Sequence, residues 1–528
     1  MKNIKRLLGI FPPYLGYIIP FFCLILSFFS FFHVNKKHLT TYFLFIIIII
    51  IIEDFIQKKK SILIYRFITS LFFGFCSFVF ISNWILFNTD ITESSIYIIL
   101  ETNLNESIEF FSSYINSIIY IIGFSCFLSV FLGLYFTNKN FINNRKITII
   151  SKKFRILLIG FFIVCIFLLK SYFLPYVTVT SIYNYHKNRK IISSIDIKSK
   201  GKFKNVTHKE SKENEIYVIL IGESTTRHHM SLYGYERKTN PLLEKRNDLI
   251  VYNDVITPIS NTIWSLRKAL TLNRENYNRY NYSLVQLFNS VGFNTYWISN
   301  QKPIGIYETS TKFISKTSDK SIFLNSTESL LDEKLIKPFK KVLREEKKKK
   351  FIVLHLMGTH ALYKSRYPKE FDFFKETPKT KFKHKKAYEK INEYDNAVLY
   401  NDYIVNCLID ELKQTNSKSY LLYFSDHGED VYETLNNAVH SLEIGSKPMH
   451  DVPFILWRSD KFLSESKTFI WNKNRKFSIE NLIYTASDLS QISFKGFKPE
   501  KSIVNYHFKK EKRIIKNNEV YETVFNQK

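Results

Sequence analysis

A chain of 528 residues is longer than one hydrophobic core usually supports, so a single compact domain is excluded and at least two units are expected. Its apolar residues crowd into the first third while the remainder has ordinary soluble composition, which excludes a uniformly soluble protein. The formal charge of +28 invites a nucleic-acid partner, but Lys, Asn and Ile abundance reflects composition bias, and basic surface beside anionic lipid headgroups is the simpler use; no nucleic-acid partner is expected.

Five apolar segments in residues 1–173 have the character of bilayer-spanning helices: Tyr14 to Phe32, His38 to Ile52, Ser61 to Phe87, Asn116 to Phe136 and Ile156 to Phe173. The second is the shortest, because Glu53 and Asp54 follow its isoleucines. Lys2, Lys5 and Arg6 precede the first segment, and Lys139, Arg145, Lys146, Lys152, Lys153 and Arg155 separate the fourth from the fifth. Both groups belong on the cytoplasmic side. The acidic loop with Asp90, Glu93, Glu101, Glu106 and Glu109 then lies outside, as does everything after Phe173. Cys23, Cys76, Cys126 and Cys165 fall inside the spans, which leaves Cys407 as a small core residue of the outer region. Residues 174–214 are polar and mixed, and read as a linker with a helix on the membrane surface.

The outer domain, 215–528, opens with the apolar run Ile216 to Ile221, a buried strand that breaks at Gly222 and presents Glu223. Three further strand patterns follow: Thr295 to Ser299 before Asn300, Phe351 to Met357 before His360, and Ser419 to Ser425 before Asp426 and His427. Tyr394 to Leu412 has a helical period. Strands alternating with helices indicate an α/β domain with a mainly parallel sheet, in which strand-end side chains gather along one edge.

Glu223, Asp426 and His427 form a mixed oxygen and nitrogen set that suits Zn²⁺ better than the harder Mn²⁺. Three protein ligands leave a position for a nucleophile or substrate. The segment Thr257 to Leu270 reads as a turn leading into a helix, and a hydroxyl at that helix start, from Thr257, Ser260 or Thr262, would be favoured for deprotonation. His228 and His229 read as exposed helix positions, His355 as a hydrogen-bonded core histidine, and Trp264 and Trp297 as packing residues.

Glu223 to Ser224, Arg227 and SLYGYERKTNP (Ser231 to Pro241) resemble the signature of bacterial phosphoethanolamine transferases, within the alkaline phosphatase and sulfatase superfamily. HLMGTHALYKSRYPKEF (His355 to Phe371), YDNAVLYND (Tyr394 to Asp402), SDHGE (Ser425 to Glu429) and DVPFILW (Asp451 to Trp457) resemble the same family in the same order. The resemblance implies a multi-pass inner-membrane protein of five helices with a periplasmic catalytic domain. It implies Thr262 as the nucleophile that becomes transiently phosphoethanolaminated, with Glu223, Asp426, His427 and Thr262 around zinc. Asn300, His360 and His440 match substrate-binding positions, and Thr102 and Glu106 match the loop that meets the donor lipid. Ile98 stands where the family carries an asparagine, and the soluble-domain disulfides of many members are absent. The implied donor is phosphatidylethanolamine, the acceptor is lipid A or another envelope molecule, and the chain is expected to act as a monomer. The alternatives are a glycerol phosphate transferase or sulfatase-like hydrolase of the same superfamily, or a membrane sensor with a decayed enzyme domain.

Overall fold

The computed structural model describes residues 14–30, 36–56, 58–87, 89–102, 107–108, 117–136, 151–193, 199–272, 277–301, 310–324, 331–465 and 468–525. The chain forms two compact units, Met1–Leu100 with Leu104–Arg189, and Glu101–Asn103 with Lys190–Lys528.

The five apolar segments of the first unit fold as helices: α1 (Leu15–Ser30), α2 (Lys36–Glu53), α3 (Lys59–Phe87), α5 (Ser117–Tyr135) and α6 (Lys152–Leu168), with the short α4 (Glu93–Glu101) between α3 and α5. Among the described residues, Lys60–Phe87 and Ser117–Tyr135 are long and apolar enough to cross a membrane, and Leu15–Leu26 is a shorter apolar helix. The Glu53 that cuts α2 short is buried and bound twice by Arg66 of α3, at 2.7 Å from both Nε and Nη2, so the acid and the base neutralise one another inside the bundle. The polar stretch after Phe173 begins with helix α7 (Leu174–Ser193). Asn188 of α7 donates to the Tyr97 hydroxyl of α4 at 3.1 Å, and Tyr185 meets the same ring edge-on.

The second unit is built on a seven-stranded sheet of β1 (Glu215–Gly222), β2 (Leu249–Val251), β3 (Asn294–Ser299), β4 (Lys320–Phe323), β5 (Lys349–His355), β6 (Lys418–Ser425) and β7 (Phe454–Arg458). Their spatial order is β2-β7-β6-β1-β5-β3-β4. β1 pairs in parallel with both β5 and β6, and β3 pairs in parallel with β5 and β4; β7 runs antiparallel to both of its neighbours. Alternate residues of β1 enter opposite cores, as the two-residue period of a strand requires. Tyr217, Ile219 and Ile221 pack with Leu266 and Ala269 of α8 (Thr262–Ala269), with α9 (Leu284–Ser290) and with α12 (Leu482–Leu489). Ile216, Val218 and Leu220 pack with Phe339 and Val342 of α10 (Ile336–Leu343) and with Ile404 to Leu412 of α11 (Lys385–Lys413). Helices cover both faces, so the strands read as continuous apolar runs rather than as alternating ones.

The expected strands appear with shifted ends. β5 stops at His355, two residues short of the apolar pattern, because Met357 and Gly358 turn away to bind Asp332. The helix expected from Tyr394 begins at Lys385, capped by the His384 ring, whose Nδ1 accepts from Ala387 N at 3.2 Å.

Candidate active site and metal centre

β1 and β6 lie side by side and end together, which brings Glu223 and the Asp426–His427 pair to one point. All three are buried. Each offers a ligand atom, and these atoms lie within 4.8 Å of one another. His427 Nε2 is 3.2 Å from Glu223 Oε1 and 3.6 Å from Asp426 Oδ2. The ring's other nitrogen, Nδ1, donates to the Gly428 carbonyl at 2.9 Å, so in the neutral imidazole Nε2 carries the lone pair. Asp426 Oδ1 accepts from the backbone N–H groups of Ser224 and His427, while among the described residues its Oδ2 has no hydrogen-bond partner.

Such a set is costly to bury without a cation. Burial pushes the Asp426 carboxyl up to about 7, and the neighbouring Glu223 charge adds to this. Burial works against charge on His427, but Asp426 and Glu223 outweigh it and raise the imidazole to about 10. Burial likewise works against charge on Glu223, and the His427 hydrogen bond outweighs it, holding that carboxyl well below its usual range. Two carboxylates thus share one imidazolium, and a divalent cation would displace that proton. The orphaned Asp426 oxygen, the aimed imidazole and the two carboxylates fit a zinc-type ion.

Thr262 is the first residue of α8, whose cap is the Asn261 side chain, accepting from Trp264 N at 3.1 Å. Its Oγ1 lies 3.2 and 3.3 Å from the two Glu223 oxygens and 3.3 Å from His427 Nε2. The competing hydroxyls point elsewhere. Ser260 Oγ donates to the Ser441 carbonyl at 2.9 Å, and Thr257 Oγ1 lies 2.9 Å from both the Ile259 carbonyl and Ser265 Oγ.

His440 stands beside this cluster, its ring 4.3 Å from that of His427 and its Nδ1 2.9 Å from Glu429 Oε2. His360 follows the Met357–Thr359 turn; burial holds its imidazole down to about 3, and Arg366 Nε donates to its carbonyl at 3.0 Å. Asn300 ends β3, bonded through Nδ2 to Asp332 Oδ1 at 2.8 Å. Thr102 lies in the short Glu101–Asn103 stretch that groups with the second unit, and Glu106 falls outside the described residues.

Sequence patterns missed four polar residues here. Glu429 was in view within SDHGE but without a role; it binds both His440 and the Tyr363 hydroxyl, the latter at 3.0 Å. Gln301 donates to Glu223 Oε2 at 3.5 Å and to the Leu356 carbonyl at 2.9 Å. Asp332 receives Asn300 and the turn after β5. His229 is not an exposed helix position. It is buried in a 3₁₀ turn with Asp395 at 2.6 Å and Glu433 at 3.0 Å, a pair that overrides burial and raises its imidazole to about 10. His355 differs as well: it is buried but its ring nitrogens have no hydrogen-bond partner among the described residues, and burial holds it down to about 4.

Residues 215–492, more than half of the chain, match the Sulfatase family model. The chain belongs to the sulfatase family. Among curated relatives, this sulfatase-family chain is 38% identical over 330 residues to the phosphoethanolamine transferase EptC of Escherichia coli O18:K1:H7 (strain RS218 / NMEC), a match covering 59% of this chain and 57% of that protein. It is 37% identical over 316 residues to the phosphoethanolamine transferase CptA of Salmonella typhimurium, covering 57% of this chain and 55% of that one. The matched stretch therefore spans a little over half the length of these relatives. The C-terminal periplasmic domain of EcEptC from Escherichia coli, solved as a complex with Zn, superimposes with a TM-score of 0.57 at 35% identity, covering 60% of this chain and 93% of that one. The integral membrane protein lipooligosaccharide phosphoethanolamine transferase A (EptA) from Neisseria meningitidis shares the fold over 94% of this chain and 98% of its own, with a TM-score of 0.68 at 18% identity.

Proposed function

We propose that this chain is a zinc-dependent phosphoethanolamine transferase of the inner membrane, with residues 1–173 as its membrane domain, residues 174–214 as linker and residues 215–528 as a periplasmic catalytic domain. Its donor is phosphatidylethanolamine, and its acceptor is lipid A or another envelope molecule. The observation that carries this reading is the approach of Thr262 Oγ1 to Glu223 and His427 at 3.2 to 3.3 Å, while the hydroxyls of Ser260 and Thr257 are engaged elsewhere. Identity to EptC and CptA supports the group transferred, and the Zn complex of the EcEptC domain supports the metal.

Glu223, Asp426 and His427 would hold the ion, which when bound lowers the pKa of a neighbouring hydroxyl and offsets phosphoryl charge. Thr262 sits at the start of α8, where the helix dipole favours an alkoxide. In the first step the Thr262 hydroxyl gives up its proton as a bond forms from Oγ1 to phosphorus, the bond from phosphorus to the diacylglycerol oxygen breaks, and that oxygen takes up a proton. In the second step an acceptor hydroxyl oxygen attacks the same phosphorus as it gives up its proton, the bond from phosphorus to Thr262 Oγ1 breaks, and Oγ1 takes up a proton to restore the hydroxyl. His360 and His440 flank the transferring group, and Glu429 fixes the His440 ring through Nδ1, leaving Nε2 to meet the substrate.

Intact-protein and peptide mass spectrometry of the full chain incubated with phosphatidylethanolamine tests the proposal. A phosphoethanolamine adduct is expected on Thr262, absent from Thr262→Ala. An adduct on Ser260 or Thr257, or lipid modification that persists in Thr262→Ala, would overturn it.

A further inference from the structure

Asp332 belongs to none of the motifs that pointed to the site, yet it grips two parts of it. It opens the 3₁₀ turn Asp332–Leu335 and is 5% exposed. Its Oδ1 accepts from Asn300 Nδ2 and from Met357 N, and its Oδ2 from Gly358 N, all at 2.8 Å. An ionised carboxylate accepts and never donates, so it can satisfy two successive backbone N–H groups and an amide at once. An asparagine there would aim an N–H at one of those donors.

The same chemistry fixes the Asn300 carboxamide. A partner that only accepts demands its NH₂ end, and the Asn300 carbonyl oxygen is turned to the opposite side. The grip also reaches Glu223, because the turn that Asp332 holds continues into Thr359, whose N and Oγ1 donate to the Glu223 carbonyl at 3.0 and 3.1 Å. Burial pushes the Asp332 carboxyl up to about 6, against the pull of its three hydrogen bonds.

We infer that Asp332 is a positioning residue of this site: it sets which end of the Asn300 carboxamide meets the phosphoester substrate, and it seats the turn from which His360 projects. The identity of that substrate rests on the reading of the preceding section; the role of Asp332 does not.

A double-mutant cycle in the zinc-loaded full chain in detergent tests this. Asp332→Asn, Asn300→Ala and the double variant are compared in kcat/KM, with zinc content measured for each. The substrates are a fluorescent phosphatidylethanolamine and an aryl phosphodiester that lacks the lipid headgroup. Each single variant is expected to lose about tenfold or more, the scale of a hydrogen bond to a charged group, while the double variant loses clearly less than the product of the two single losses, because the part that acts through Asn300 is removed only once. Zinc content is measured at saturating zinc for each variant, so that the losses are compared between metal-loaded proteins. Asn300→Asp, which leaves Asp332 in place and keeps an acceptor at residue 300, is the check against misfolding of Asp332→Asn. It sets two carboxylates face to face and should lose about tenfold, because like charges at contact repel. Losses that multiply in the double variant, or full activity of Asn300→Asp, would overturn the role of Asp332. Wild-type turnover of the aryl diester without lipid would overturn the phosphoethanolamine reading alone, and the cycle is then scored on the diester. Turnover of neither substrate by the wild type would overturn both.

Discussion

Gly358→Ala tests how the candidate metal ligand Glu223 is held. Gly358 has φ +54°, in the left-handed region, and a Cβ built there would lie 2.7 Å from the Glu223 carbonyl oxygen and 2.8 Å from its amide nitrogen. Both are backbone atoms and neither can rotate aside. The conformational term is roughly 1–2 kcal/mol and the overpacking term roughly 1–3 kcal/mol, so a loss of about 2–5 kcal/mol is expected. At a few degrees per kcal/mol, this lowers the melting temperature on the order of 5–15 °C. Relief of the clash must move Glu223, so zinc affinity should fall about 10- to 100-fold, the usual scale for disturbing the support of a metal ligand. Gly234→Ala is the control. Its φ is +93°, but nothing lies within 4 Å of a Cβ built there, so it carries the conformational term without the clash. Thermal unfolding and zinc equilibrium dialysis read both quantities. If Gly358→Ala bound zinc like the wild type and melted no lower than Gly234→Ala, the turn after β5 could not be what seats Glu223.

Asp426→Ala should remove bound zinc, since it deletes the one ligand oxygen that has no other hydrogen-bond partner among the described residues; undiminished metal by inductively coupled plasma analysis would refute the ligand assignment. Ser265→Ala removes the hydroxyl that bridges the Asp426 carbonyl and Thr257 Oγ1 at the buried face of α8, and should cost about 1–3 kcal/mol in chemical denaturation while zinc stays bound. The His229 imidazole is raised in the fold to about 10, above an unfolded value of about 6.5, so its contribution to stability is complete below about pH 6.5 and is lost as pH rises through 10. Melting curves of His229→Gln should lack that alkaline decline, and an unchanged decline would assign it to another group.

The strand-end positions of the candidate ligands were legible in the sequence because β-branched and aromatic runs mark a strand wherever both of its faces are covered, and the residue that breaks such a run falls at the edge of the sheet. Glu223, Asp426 and His427 all follow this logic. Asp332 and His229 do not. Asp332 lies in a short turn without periodicity, and its partners are 25 to 32 residues away in the chain. His229 looked exposed because no local pattern announces a burial produced by Asp395, 166 residues on, and by Glu433. The choice of Thr262 over Ser260 and Thr257 was likewise out of reach of spacing alone. It depends on how the turn before α8 spends its other hydroxyls on the Ser441 and Ile259 carbonyls.

The central position of β1 has a consequence for how the protein matures. Its neighbours β5 and β6 arrive more than 120 and 190 residues later in the chain, so the strand that presents Glu223 has no sheet to join until most of the second unit exists. Closing such long loops is slow, and it is completed only when β6 docks and delivers Asp426 and His427 in the same event. A nascent or clipped chain that lacks β6 therefore lacks two of the three residues of the candidate metal site. On the proposed reading, metal uptake would mark the finished fold, and an unfinished chain would carry no activated Thr262.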